Sequence, residues 1–296
     1  MLKRLRPILS VVLLAMALAI GVYYLASHRN LLRQLAHTHL EVIFIVLVLY
    51  VAMFGVLLLI LNASIKICHG RLSKSENVKL NAHSLLINFF VPGQGGPVYR
   101  GYYLHKHQQL KVKNYVIVVL MYYACYALIS VFMLLVGSLH WWQTVLALLG
   151  VALLGVIAIR KYSDRAKIRK KTLDLSAVNI SYLFLATILQ AIVQLIIYTT
   201  ELHSVNSHIS ISQIITYTGA ANLALFVSLT PGAIGIREAF LLFTNHLHHI
   251  SSANVILANV IDRSVYLVFL LTLIIFIVGQ NVRKKVRLSK TPIPIK

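Results

Sequence analysis

Six apolar runs, each about as long as a bilayer is thick, recur along the chain at 7–25, 40–61, 114–139, 143–159, 179–200 and 254–279. At about 1.5 Å of rise per residue, roughly twenty apolar residues match a hydrocarbon layer ~30 Å deep. Backbone in lipid must satisfy its own hydrogen bonds, so runs of this length are expected to be helices. The fold class expected is therefore all-α, a polytopic helical membrane protein. Composition agrees. Only 12% of residues are charged and 59% are hydrophobic, where a soluble domain carries about 25% charged residues.

Charge sets the topology. A net charge of +21 would suggest nucleic acid in a soluble protein. Here, with the N-terminus cytoplasmic, segments 1–6, 62–83, 105–113, 160–178 and 280–296 hold 23 of the 28 Lys and Arg. The outer loops hold only Arg29 and Arg33, and Arg100, Arg237 and Arg263 fall at membrane depth. This is the positive-inside pattern. It predicts a multi-pass protein of the plasma (inner) membrane with both termini cytoplasmic. Aromatic residues do not interleave with the basic runs, so no nucleic-acid partner is expected. Cys68 in a loop and Cys125 in a span suit no disulfide. Lys3, Arg4 and Arg6 precede an apolar run that reads as an uncleaved first helix. The tail from residue 283 is expected to be disordered.

Two further apolar segments are interrupted. Segment 84–104 is broken at Pro92, Gly93 and Gly96, and segment 213–244 at Pro231, Gly232 and Gly235. Both breaks read Pro-Gly-x-x-Gly. The same offset carries 40–61 onto 179–200, 114–139 close to 254–279, and 7–25 roughly onto 143–159. The chain therefore reads as two halves, 1–140 and 141–282, followed by a basic tail, 283–296. Each half crosses the membrane an odd number of times, so the second should run inverted. Flanking charge agrees: Lys79, Lys106 and Lys111 surround the first hairpin, while 201–212 and 245–253 hold no Lys or Arg. Each hairpin is expected to be re-entrant. Inverted repeats with discontinuous helices place a binding site near the midplane, at the breaks. Simple proline kinks are the alternative.

A helix restarting at Pro231, and another near Pro97, would each aim unpaired N–H groups and about half a positive charge inward. Such ends suit a phosphate. Arg100, Arg237 and Arg263 add full charge against Glu238 and Asp262. These five are the expected substrate-binding residues, with Pro92, Gly93, Gly96, Pro231, Gly232 and Gly235 forming the helix breaks. The alternative for any one pair is mutual neutralisation of buried charge. Gln190 and Gln194, four apart, suggest an inward or helix-packing stripe. Only Glu238 and Asp262 among the acids are placed deep. No nucleophile–base spacing, phosphate loop or dinucleotide fingerprint occurs. No catalytic residue, metal or cofactor is expected, and the chain is not read as an enzyme.

The stretch Pro231-Gly232-Ala233-Ile234-Gly235-Ile236-Arg237-Glu238-Ala239 resembles the P-G-G-x-G-x-R-E-A motif of the flippase-like membrane proteins, which include the transmembrane region of lysylphosphatidylglycerol synthases. Arg263 followed by Tyr266 resembles that family's last-span motif. Pro92-Gly93 through Arg100 resembles its first motif, P-G-x-x-G-E-x-x-R, with Pro97 in place of the acid and Gln94 where Arg is frequent. The resemblance covers most of the chain and implies lipid translocation or a related role. The missing acid favours a plainly anionic lipid over an aminoacylated one. With no aminoacyltransferase domain in the sequence, the chain is not expected to make the modified lipid. The function expected is a membrane lipid translocase that binds an anionic phospholipid or a polyprenyl-phosphate-linked headgroup. The rivals are a non-transporting partner that holds a lipid-linked intermediate for an envelope biosynthesis enzyme, and an intramembrane enzyme acting on lipid phosphates.

Overall fold

The computed structural model describes residues 40–90, 95–138, 173–227 and 236–289. Every regular element among them is helical. In chain order these are α1 (Leu40–Ile67), α2 (Lys74–Phe90), α3 (Gly95–Gln108), α4 (Val112–Ser138), α5 (Ala177–Val205), α6 (Ile211–Ala224), α7 (Ile236–Phe243), α8 (Asn245–His248) and α9 (Ser252–Ser289). A short 3-10 turn, Leu225–Val227, extends α6. The expected spans 7–25 and 143–159, and the break residues Pro92, Gly93, Pro231, Gly232 and Gly235, lie outside the described residues.

Four helices, α1, α4, α5 and α9, are long and apolar enough to cross a membrane. Their large apolar side chains are openly exposed: Phe44 and Val48 on α1, Leu120 and Phe132 on α4, Leu185 and Ile192 on α5, Ile275 on α9. Patches this extensive would drive a soluble protein to aggregate, whereas acyl chains solvate them without cost. The polytopic all-α class read from the sequence is the observed one.

The two most extensive helix pairings are α1 with α5 and α4 with α6; α9 packs on α1, α5 and α7. Small residues permit the α4–α6 approach. A Cβ added at Gly219 would lie 2.5 Å from Leu134 N and 2.6 Å from the Ser130 carbonyl oxygen, so only glycine fits. In lipid, where burial of apolar side chains gives no advantage, close packing of this kind is what holds helices together.

Three boundaries differ from the sequence reading. Helix α2 starts within the basic loop rather than at residue 84. A reciprocal cap sets the start: Glu76 N–H donates to Ser73 Oγ (3.2 Å) while Ser73 N–H donates to Glu76 Oε2 (3.1 Å). The Ser73 hydroxyl also donates to that carboxylate, and these bonds hold the Glu76 carboxyl below its ordinary range. Helix α9 does not stop at 279. It runs through the basic stretch to Ser289, because Arg and Lys are good helix formers and no proline intervenes before Pro292. The expectation of disorder from 283 is thus corrected as far as 289. Gly96 is not in a break but in the first turn of α3, where its N–H donates to Asn88 Oδ1 at 2.8 Å. A Cβ there would lie 2.6 Å from the Ser84 carbonyl oxygen, so Gly96 serves the close packing of α3 on α2.

Candidate functional site

Seven helices and the 3-10 turn converge on a cavity of about 260 Å³. That is smaller than most drug-sized pockets, which run to roughly 300–1,000 Å³. Helical spacing explains the lining. Asn81, Ser84 and Asn88 share one face of α2. Tyr122 and Tyr126 share one face of α4. Gln190, Gln194 and Tyr198 follow at four-residue steps on α5. The glutamine stripe thus faces the cavity, and Tyr122 Oη donates to Gln190 Oε1 at 2.9 Å.

Four of the five expected binding residues, Arg100, Arg237, Asp262 and Arg263, line this cavity. They do not play one role. On α7 and α9 the charges are crossed: Arg237 is ion-paired with Asp262, and Glu238 with Arg263 at 3.3 Å. Adjacent residues on one helix thus meet adjacent residues on the other with opposite sign, which ties α7 to α9 with no net charge. Arg237 and Asp262 are both buried. Each oxygen of Asp262 accepts a bond, one from Tyr50 Oη and one from Arg237. The second Arg237 nitrogen donates to Tyr198 Oη at 2.7 Å, and its guanidinium carbon lies 5.2 Å from that ring's centre. Glu238 is half-buried and outside the lining; it acts on the cavity through Arg263. The mutual-neutralisation alternative therefore describes both of these pairs.

Arg100 is different. It reaches from α3 to Asn81 Oδ1 at 3.5 Å, a weak bond, and its Nε is buried without a hydrogen-bond partner. Among the described residues no carboxylate lies within ion-pair distance of it. Its neighbours in the lining, Asn81, Ser84 and Asn88, are neutral. The cavity thus carries one unbalanced positive charge on its α2–α3 side.

Sequence reading missed Glu201, placed there in an outer loop. Helix α5 continues to Val205, and Glu201 is 1% exposed, beside the Asp262–Arg237 pair. Its spacing from Tyr198, three residues on the glutamine face, was the available signal. Asn81 was missed because its stretch read as a basic loop, and Asn88 because its segment read as apolar.

The fold and the cavity define the class: a multi-pass α-helical membrane protein with a charged cavity among its helices. The family profile of the lysylphosphatidylglycerol synthase TM region matches residues 8–274, and the chain belongs to that family. No curated protein and no solved structure matches it.

Proposed function

We propose that the chain is a lipid translocase, not an enzyme, that receives the phosphate of an anionic phospholipid or a polyprenyl-phosphate-linked headgroup in this cavity and passes it between leaflets. The observation that carries this reading is Arg100, a guanidinium without a carboxylate partner among the described residues, in a cavity the size of a headgroup. A lone guanidinium facing neutral polar groups costs free energy until an anion arrives, and an Arg fork suits phosphate oxygens. Ser84 and Asn88 supply further donors, and the aromatic lining accommodates the glycerol and first methylenes while the acyl chains stay in the bilayer. The inverted pairing of halves 1–140 and 141–282 belongs to this reading, as do cytoplasmic termini and an inner-membrane location, which rest on the distribution of Lys and Arg. So does the pair of re-entrant hairpins, α2–α3 and α6–α7, whose members pack on each other on the two sides of each Pro-Gly-x-x-Gly.

The test uses purified full-length protein in vesicles containing a fluorescent phosphatidylglycerol analogue, with the outer leaflet bleached chemically. Wild type is expected to expose the inner-leaflet label, and Arg100→Gln to slow this at least tenfold. Equal rates for the two proteins and protein-free vesicles would remove the proposal.

A further inference from the structure

A second guanidinium in this cavity has a donor to spare. Arg237 lines it too. Its terminal nitrogens reach Asp262 and Tyr198, but its Nε is buried without a hydrogen-bond partner among the described residues, as is that of Arg100. A buried N–H left unpaired carries a free-energy cost that an acceptor removes. The two orphan donors stand on different elements, Arg100 on α3 and Arg237 on α7. A ligand held at Arg100 therefore has a second point of recognition to meet.

Neutral polar groups surround that second point. Gln190, Gln194 and Tyr198 line the cavity one turn apart on one face of α5, and Tyr198 Oη accepts from Arg237 at 2.7 Å. Gln194 is thus a single turn from the residue that holds the guanidinium, and its amide offers both a carbonyl acceptor and N–H donors. Tyr122, bonded to Gln190, stacks with Tyr126 at 6.2 Å between ring centroids and 19° between planes. Such rings present an apolar face with a hydroxyl edge.

Charge restricts what the second group can be. Both Asp262 oxygens already accept, from Tyr50 and Arg237, and Glu238 is paired with Arg263 outside the lining. An ammonium on the ligand would meet the guanidinium groups of Arg100, Arg237 and Arg263 and a carboxylate already engaged. A second phosphate would add a full negative charge where Arg237 and Arg263 each have a carboxylate. A hydroxyl both donates and accepts without charge. We infer that the α5–α7 wall is a polyol subsite, which takes the hydroxyls of a glycerol or a sugar esterified to the phosphate at Arg100. The hydroxyl oxygen accepts from Arg237 Nε, its proton goes to the Gln194 carbonyl, and the neighbouring C–H groups rest on the tyrosine rings. This rests on the proposed phosphate site and names the chemistry of the group beyond the phosphate.

Calorimetric titration of the detergent-purified full chain tests it, with soluble probes that share a phosphodiester and differ beyond it. Dihexanoylphosphatidylglycerol carries a diol, dihexanoylphosphatidylmethanol no hydroxyl, and dihexanoylphosphatidylethanolamine an ammonium. Citronellyl phosphoglucose and citronellyl methyl phosphate form the matching pair for a sugar. Wild type is expected to bind a hydroxylated probe about tenfold more tightly than its methyl partner, because a site built for a hydroxyl is penalised when the hydroxyl is missing. The ethanolamine probe should bind more weakly than the methyl one. An advantage confined to the glycerol probe supports the subsite and assigns it to a phospholipid; one confined to the glucosyl probe supports it and assigns it to a glycolipid. Arg237 is a poor residue to change, since its loss strands Asp262. Gln194→Leu is expected instead to bring the hydroxylated and methyl probes to the same affinity, whereas Arg100→Gln should weaken every probe and keep the preference. Equal affinities of the paired probes in wild type, or a preference that survives Gln194→Leu, overturn the subsite and leave the phosphate site standing. No binding of any probe overturns both.

Discussion

The two sides of the cavity hold arginines in opposite states. On the α7–α9 side, Arg237 and Arg263 are matched by Asp262 and Glu238. On the α2–α3 side, Arg100 bonds weakly to Asn81 and has no carboxylate partner among the described residues. A matched pair in a buried setting holds the fold in one arrangement, and breaking it is expensive. An unmatched cation does little for the fold and, under the proposed function, is left for a ligand. The same residue type is structural on one side and available on the other, and the carboxylates decide which.

Mutations can break that contrast or sharpen it. The largest expected effect is that of Asp262→Ala, which strands the Arg237 charge. Loss of one partner of a buried pair costs roughly 3–5 kcal/mol, to be seen as a fall in thermal stability in detergent, whereas Arg100→Ala should shift stability by only about 0.5 kcal/mol. Comparable losses in the two variants would end the distinction. Next comes lipid affinity. Arg100→Gln should weaken phosphatidylglycerol binding by about 1.5–3 kcal/mol, the range for a charged hydrogen bond, or about tenfold or more, read by calorimetry. Gly219→Val, away from both sides, should destabilise by about 1–3 kcal/mol through overpacking against α4 without altering the relative effect of Arg100→Gln; a change in that ratio would tie the α4–α6 crossing to the site. Glu238→Gln should cost less, about 1 kcal/mol, because Glu238 keeps 28% of its side chain exposed and glutamine can still accept from Arg263. A result near the Asp262 value would show the two pairs to be equivalent.

The smallest effect is one of pH and lies outside the spans. Neutral His248 donates from Nε2 to the Leu241 carbonyl (3.0 Å) and accepts the Ile250 N–H at Nδ1 (3.2 Å). Burial holds its pKa below the ordinary 6.5. Stability from this group is therefore complete above pH 6.5 and is lost as pH falls through the lowered folded value. Melting curves from pH 8 to 5 should show a modest decline in wild type and a flatter profile in His248→Asn.

The spans at 40–61, 114–139, 179–200 and 254–279 and the charged residues near them were legible because both are conspicuous against lipid. A 20-residue apolar run has few alternatives, and Arg237, Glu238, Asp262 and Arg263 interrupt such runs. Which arginine meets which acid was not legible. The partners lie 25 residues apart across the α7–α8–α9 turns, and only the relative rotation of α7 and α9 selects the crossed pairing. Glu201 was hidden for a different reason. It follows an apolar run and precedes His203, Asn206 and His208, so polarity suggested a loop, while helix propensity and packing on α6 and α9 carry α5 four residues past it. The α2 start was missed because a capping box outweighs a basic, polar composition.

Helix α9 is one continuous rod from Ser252 to Ser289. At about 1.5 Å per residue, Ser289 stands roughly 40 Å along the axis from Asp262. A rotation of only about ten degrees at the acid would sweep the far end through about 7 Å, by the geometry of a rigid helix. A probe attached at that tip would act as a pointer amplifying small rearrangements around the buried Arg237–Asp262 pair.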